Sequence, residues 1–518
     1  MTTLQFGNNT IRLGATPDAS AAGAPLSRLF LAARTGRGPV NLPTTIGSYD
    51  DFVAVFGAGT NAARTDVAGE VVRDYFKVVG RAADAVVTRL YEGTPQVAAE
   101  QEVVGSDPAT PAQQLRVQLE AASPGAWGDG LVRSVRQTAP GVYTVEVREV
   151  RGGVVVKRKP VAGVTPDAAG AARLNAESGG LLRATFNPAG TVDFLNVAAG
   201  ADPDVWVTFA GGADSAQLSP QTLEGTLDPD SQERTGLWTL RSTELGGGVL
   251  VVPTADTPEL NAVKLRWAAE TSRFAPIEPG GDLTPGAALA EKQALELVDG
   301  ASFGAYFYPR GREAAPGGAV SKSALGYVAG LYVQSVMAEP GYVSPPAGAL
   351  GLPDVQRAPN GRDLLVHEVN ASTLQKAGVN TLVQRAGRIE LQGLSLLAPN
   401  PLQPGTDKVY ERLILNALSY DIGPKLGKFN NAYVDAKGVF FSVVIGAIRD
   451  VITPYYQRGL LYGETVEQAF RVEMDYTLNN PAEVAKTGRL NVKVKVRISP
   501  VGEGIDLELF HVPVNVDL

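Results

Sequence analysis

Residues 66–91 read DVAGEVVRDYFKVVGRAADAVVTRLY, and the two halves of this stretch obey different periodicities. In the first half Val67, Val71, Tyr75 and Val78 recur at helical spacing, with Asp66 placed as an N-cap and Gly80 as a stop. In the second, 85–91 is an apolar run broken only by Thr88 and Arg89, the mark of a buried strand. Upstream, 26–33 (LSRLFLAA) is a second such run. It is followed by a turn through Gly36-Arg37-Gly38-Pro39 and by a short helix, 52–56, that Ser48-Tyr49-Asp50-Asp51 introduces and Gly57 ends. Strand, helix and strand in that order begin an α/β layer.

Beyond residue 92 the character changes. Gly, Pro, Gln and Glu accumulate over 92–112, and strand signals then dominate to about residue 236, at 115–119, 131–135, 143–150, 154–159 and 205–209. An inserted β-rich domain is predicted. Strands at 249–252 and 305–308 and helices at 257–272 and 285–298 then resume the α/β layer. A Pro/Gly-rich break at 340–359 precedes helix 371–377, strand 381–384, helix 407–422 and an apolar helix 440–458. Pro454 is expected to kink or end that last helix near Thr453. Between 490 and 498, Leu490, Val492, Val494, Val496 and Ile498 alternate with polar residues, so one face should be core and the other wet.

Both ends read as β-competent arms. Leu4 and Phe6, then Ile11 and Leu13, flank a Gly7-Asn8-Asn9 turn, and the small, polar stretch 14–25 is a linker. At the other end Ile505, Leu507 and Leu509 are apolar at odd positions, but Val512, Val514, Val516 and Leu518 at even ones. One flat strand cannot place both sets on one face, so a bulge or hinge is predicted at Phe510-His511. Pro513 lacks a ladder donor and favours an edge.

Composition excludes several chemistries. The 518 residues include no cysteine and only two histidines, His367 and His511, so thiolate sites and His-rich metal sites cannot be built. With 46 basic against 54 acidic residues and no dense basic stripe, nucleic acid is not an expected partner. The first residues carry no secretory pattern. The longest unbroken apolar stretch, near 439–448, is shorter than the ~20 residues of a membrane helix, so no membrane insertion is expected. Gly300-Ala301-Ser302-Phe303-Gly304 matches G-x-S-x-G, and a serine hydrolase using Ser302 is the competing function. A nucleophile elbow, however, runs strand, turn, helix, whereas here a helix precedes and a strand follows. No cofactor, metal or catalytic residue is expected.

Several segments, in order along nearly the whole chain, resemble the sheath proteins of contractile tails and related contractile injection particles. They are Gly36-Arg37-Gly38-Pro39 with Asp51-Phe52 and Phe56-Gly57; Asp74-Tyr75-Phe76 with Thr88-Arg89-Leu90; and Ser123-Pro124-Gly125-Ala126-Trp127-Gly128-Asp129, where the family usually has Asn in the last place. Further on come Ala305-Tyr306-Phe307-Tyr308-Pro309, Gly326-Tyr327-Val328-Ala329-Gly330, Arg458-Gly459, Ala469-Phe470-Arg471-Val472 and Asn480-Pro481. The resemblance implies a multidomain α+β and α/β protein with two α/β sheath-core domains, an inserted β-rich domain and extended N- and C-terminal β-arms. The expected division is an N-terminal arm and linker (1–24), a discontinuous middle domain (25–97 and 237–350), an outermost insertion (98–236), a C-terminal domain facing an inner tube (351–505) and a C-terminal arm (506–518).

In function the resemblance implies a structural subunit, not an enzyme, that polymerises into a helical sheath and contracts to drive an inner tube through a cell envelope. The setting would be the tail of a bacteriophage virion, assembled in the host cytoplasm, or a headless bacteriocin-like or extracellular injection particle. Implied partners are further copies of the chain, the inner tail tube, the baseplate and the tail terminator. Implied interface residues are Leu4, Phe6, Ile11, Leu13, Val512, Val514, Val516 and Leu518, with Phe510 and His511 as hinge and Lys425 and Lys428 facing the tube.

Overall fold

The structure is a computed structural model that describes residues 3–6, 9–12, 28–58, 67–80, 83–100, 115–194, 197–198, 205–242, 245–253, 257–315, 318–338, 351–352, 368–385, 388–399 and 407–501. An N-terminal hairpin, β1 (Thr3–Phe6) and β2 (Asn9–Arg12), is followed by β3 (Leu29–Ala33), β4 (Thr44–Ile46), α1 (Tyr49–Phe56), α2 (Ala68–Val79) and β5 (Ala85–Arg89). Next come β6 (Ala99–Glu100), β7 (Val117–Ala121), β8 (Leu131–Ala139), β9 (Val142–Arg151), β10 (Val154–Val164), α3 (Ala168–Glu177), β11 (Leu182–Phe186), β12 (Val197–Ala198) and β13 (Val207–Ala210). The chain continues through α4 (Pro220–Glu224), β14 (Val249–Val251), α5 (Pro258–Glu270), β15 (Ala275–Ile277), α6 (Pro285–Leu295), β16 (Gly304–Tyr308), β17 (Gly311–Ala315), β18 (Gly318–Lys322) and α7 (Leu325–Ala338). The last third holds β19 (Gly351–Leu352), α8 (Glu368–Lys376), β20 (Asn380–Arg385), β21 (Arg388–Gln392), α9 (Val409–Gly427), α10 (Val439–Gln457), α11 (Val466–Ala469), β22 (Phe470–Glu473), α12 (Pro481–Thr487) and β23 (Lys493–Val496).

The strand–helix–strand opening forms as its periodicities require. Strands β14, β3 and β5 run parallel, and β4 closes the edge antiparallel to β5. A second sheet runs β15, β16, β20, β21, β19, its first three strands parallel. Leu250 N–H donates to Phe274 O and Phe274 N–H to Gly248 O, so the two sheets meet along β14 and the residue before β15. The ladder therefore continues past residue 350 into β20 and β21. Ser48 caps α1 as expected, but α2 starts at Val67 without a side-chain cap, and Asp66 lies outside the described residues.

Two apolar layers cover the joined sheets. On one face α2 and α7 cross closely, with Val71, Tyr75, Val328 and Tyr332 in a core that extends to α9 and α10. Gly326 makes that crossing possible, because a Cβ there would lie 2.3 Å from the Val71 carbonyl oxygen. Replacing Gly326 with Val is expected to cost about 2–3 kcal/mol by overpacking, read as a lower first unfolding transition in a thermal scan. On the other face Phe30, Val86 and Leu250 pack against Leu223, Leu237, Leu240 and the α5 side chains Val263 and Trp267. Residues 218–240 thus serve the main sheet, not the insertion.

The insertion has its own core and an eight-stranded, largely antiparallel sheet ordered β10-β9-β8-β13-β6-β7-β11, with β12 beside β8. The sequence reading found little helical character here, yet α3 lies on this sheet and buries Ala171 and Leu174. Its Ala/Gly-rich sequence gives a weak amphipathic signal, while Asp167 caps it by accepting from the Gly170 N–H at 2.8 Å.

In the last third, α10 does not end near Thr453. It runs through Pro454 to Gln457: the lost hydrogen bond and the ring's crowding of the preceding turn are offset there by burial of Tyr455 and by the Arg458 N–H donating to Pro454 O. Its 19 residues are long and apolar enough, by length and composition alone, to cross a membrane. The unbroken apolar run stops at residue 448, but the helix continues past Arg449 and Asp450. Phe441, Val444, Ile448, Ile452 and Tyr455 bury one face against the core. Strand 490–498 is shorter than its alternation: it ladders with β22 over β23, and Ile498 then bridges to Leu461.

Candidate assembly surfaces

Some of the segments that carry the resemblance, from 36–39, 51–57, 88–90 and 123–129, come together at the junction of body and insertion. The Arg37 guanidinium donates to Val53 O at 2.8 Å and Ala54 O at 3.2 Å, carbonyls in the last turn of α1, and reaches Glu149 Oε2 of β9 at 3.3 Å. It also lies over the Trp127 ring, 5.8 Å from its centroid. Burial pulls the Arg37 pKa down, and Glu149 opposes this. Gly38 N–H donates to Ser123 Oγ at 2.9 Å, and Arg89 donates to Gly38 O at 2.8 Å. Gly125 has φ +129° and sits so close to Gly36 that a Cβ would lie 2.3 Å from the Gly36 carbonyl oxygen. Asp129 accepts from Gly212 N–H at 2.8 Å and Asp214 from Ala126 N–H at 3.0 Å, tying the turn to the strand that leaves the insertion. Pairing of Arg37 with Glu149, 112 residues apart, is a tertiary contact that no local pattern signals.

A second feature is the two-stranded antiparallel ladder of β22 and β23, in which Arg471 faces Lys495 and Glu473 faces Lys493. Leu490, Val492, Val494, Val496 and Ile498 are half-buried against the main core, as their alternation predicts. The odd-numbered residues, Lys493, Lys495 and Arg497, are exposed. Glu473 accepts from Lys495 Nζ at 2.8 Å and pairs with Arg471 at 3.2 Å, which pulls its carboxyl below the usual range. The opposite edge of β23 pairs with no strand among the described residues. The described chain ends at Val501, five residues beyond β23.

Lys425 and Lys428 lie in the last turn and at the C-cap of α9, both exposed. They share an open groove of about 870 Å³ between α9 and α10 with Arg458, Asp421 and Asp450. Asp450 and Arg458 come from α10 and reach the groove only through its packing on α9, whereas Asp421 stands one turn before Lys425 on α9 itself. Asp421 has its pKa raised by burial, and Tyr455 donates to it at 2.5 Å.

Of the arm residues, Leu4, Phe6 and Ile11 lie in β1 and β2, which pair with each other, Leu4 opposite Ile11, and run beside α9 of the same chain. Leu13, Phe510, His511, Val512, Val514, Val516 and Leu518 lie outside the described residues. Ser302 sits in a 3-10 turn between α6 and β16, the helix-to-strand order read from the sequence, and its carbonyl accepts from Arg412 at 3.2 Å. His367 lies outside the described residues. Among the described residues no group of His, Cys, Asp and Glu is arranged to hold a metal ion.

No protein-family model matches the sequence, and no curated protein matches it. Solved structures do. A sheath tail protein from Listeria innocua aligns over 92% of this chain and 96% of its own, with a TM-score of 0.56 at 13% identity. A sheath tail protein from Desulfitobacterium hafniense covers 87% of this chain and 91% of its own, with a TM-score of 0.54 at 13% identity. The helical sheath of the anti-feeding prophage in its contracted state covers 96% of each chain, with a TM-score of 0.51 at 14% identity. The chain has the fold of the contractile sheath proteins.

Proposed function

We propose that this chain is a structural sheath subunit that polymerises into a helical tube around an inner tail tube and contracts to drive that tube through a target envelope. The observation that carries the reading is an edge of β23 that pairs with no strand among the described residues, seated on the core of a sheath-type fold next to the exit of an alternating tail. A free strand edge is a template for an added strand, in which backbone hydrogen bonds supply affinity and alternate side chains supply specificity. Leu4, Phe6, Ile11 and Leu13 at one end, and Val512, Val514, Val516 and Leu518 at the other, are the strand residues offered to neighbouring copies. Phe510 and His511 form the hinge that lets bodies rotate while arms stay joined. Work then comes from the difference in burial between two packings of the same bodies, with no nucleotide.

The α9–α10 groove with Lys425 and Lys428 faces the inner tube, and the ring ends meet the baseplate and the tail terminator. The particle is a phage tail assembled in the host cytoplasm, or a headless injection device of the same build. Negative-stain electron microscopy of the purified chain at rising concentration is the test. Hollow striated tubes are the expected result. Compact monomers that persist even after the cognate inner tube is added would refute it.

A further inference from the structure

The exposed face of the β22–β23 ladder is strongly basic. Arg471, Lys493, Lys495 and Arg497 are all exposed on it, with Glu473 as the carboxylate between Arg471 and Lys495. The sequence beyond the described residues has the opposite sign: residues 502–518 contain Glu503, Asp506, Glu508 and Asp517 and no Lys or Arg. The other arm lacks this character, since Arg12 is the one charged side chain in residues 1–13.

We infer that the basic face of β22–β23 is a charge-specific acceptor for the acidic C-terminal arm of a second copy of this chain, and that it rejects the N-terminal arm at this edge. The inference rests on the strand-exchange reading above. Parity supports it. In 505–509 the apolar residues are odd and Asp506 and Glu508 even; in 512–518 the apolar residues are even and Asp517 odd. Either segment, added to the β23 edge with its apolar residues toward the core, puts its carboxylates on the side of Lys493, Lys495 and Arg497. Opposite charges across a ladder attract and like charges repel, so the pairing both holds the right arm and excludes the wrong one.

The test is a charge exchange in the full chain. One variant carries Lys493→Glu, Lys495→Glu and Arg497→Glu, and the other Asp506→Lys, Glu508→Lys and Asp517→Lys. Each alone should need about tenfold more protein for half-maximal tube formation, the scale of several reversed cross-strand pairs. A chain carrying both sets should return to within about twofold of wild type. An equimolar mixture of the two single-set variants should also recover, because each then meets a complementary partner.

Recovery in the doubly exchanged chain without recovery in the mixture would mean that the tail pairs with its own body, overturning the inference. Wild-type assembly by both variants would overturn the charge pairing. Deletion of residues 502–518 separates this from the underlying reading: if the deleted chain still forms tubes, strand exchange by this arm is itself wrong. If the face variant loses its circular dichroism, the tail variant decides, and wild-type assembly should weaken between low and high salt because exposed pairs are screened. A salt-independent wild type would count against the pairing.

Discussion

Deleting residues 1–13 is expected to raise the concentration needed for tube formation by more than about a hundredfold, with the body still folded. A donated strand of four or so residues contributes several backbone hydrogen bonds, each worth about 1 kcal/mol net, plus burial of Leu4 and Phe6. Their loss exceeds the ~2.7 kcal/mol of a hundredfold change. Within one chain the strands β1 and β2 pair with each other and run beside α9, so the arm is already strand-competent before it meets a neighbour. Sedimentation of assembled material, with electron microscopy of the pellet, checks the result. Replacing Leu4 and Phe6 with Asp should act in the same direction, since it leaves the backbone but removes the apolar face. Tubes formed by the deleted chain at wild-type concentration would sink the arm-exchange mechanism.

The largest loss of subunit stability is expected from Arg273→Ala. Arg273 is buried, its guanidinium 3.6 Å from the centroid of Phe30 and 5.0 Å from that of Trp267. It donates to Leu240 O at 2.7 Å and twice to Gly246 O, at 2.7 and 3.1 Å, holding the 240–246 segment to the edge where the two main sheets meet. Burial lowers its pKa to about 10, so it stays charged at neutral pH. Truncation would strand two buried carbonyls, remove a cation from between two rings and open a cavity, which together cost about 3–5 kcal/mol. Arg273→Lys, keeping the charge but not the fork, should lose about half as much. Urea unfolding followed by tryptophan fluorescence measures both, since Trp267 reports on the site. An alanine variant within ~1 kcal/mol of wild type would show that the stack and carbonyl bonds add nothing net.

The opening α/β unit was legible because its periodicities are strong and local: α2 and β5 form where the 66–91 stretch changes from a period of 3.6 to a mostly apolar run. The five strands expected in the insertion all appear, although β8 and β10 run on past their expected ends. Helix α3 was hidden because Ala and Gly carry too little hydrophobic contrast to mark a face. The span of α10 was legible as 440–458, but an end at Thr453 does not occur, because the turn beyond Pro454 is held by packing, with Tyr455 buried there. The structure places both Lys425 and Lys428 in the α9–α10 groove, and both were put forward from the sequence. Their groove partners Asp450 and Arg458 were not, since residues from two antiparallel helices share a wall only after packing.

From the sequence alone came the elements themselves, the two alternating arms and the chemistries excluded by an absence of cysteine and a near absence of histidine. Those follow from covalent identity and from the short-range rules of period two and period 3.6. Only the tertiary structure decided that the main sheets meet at β14 and Phe274, that Arg37 locks a loop, a helix end and the insertion together, and that β23 keeps one edge without a strand partner among the described residues, beside a basic face. Each of these depends on residues far apart in the chain meeting in space, and neither periodicity nor spacing encodes such meetings; the packing of the core does.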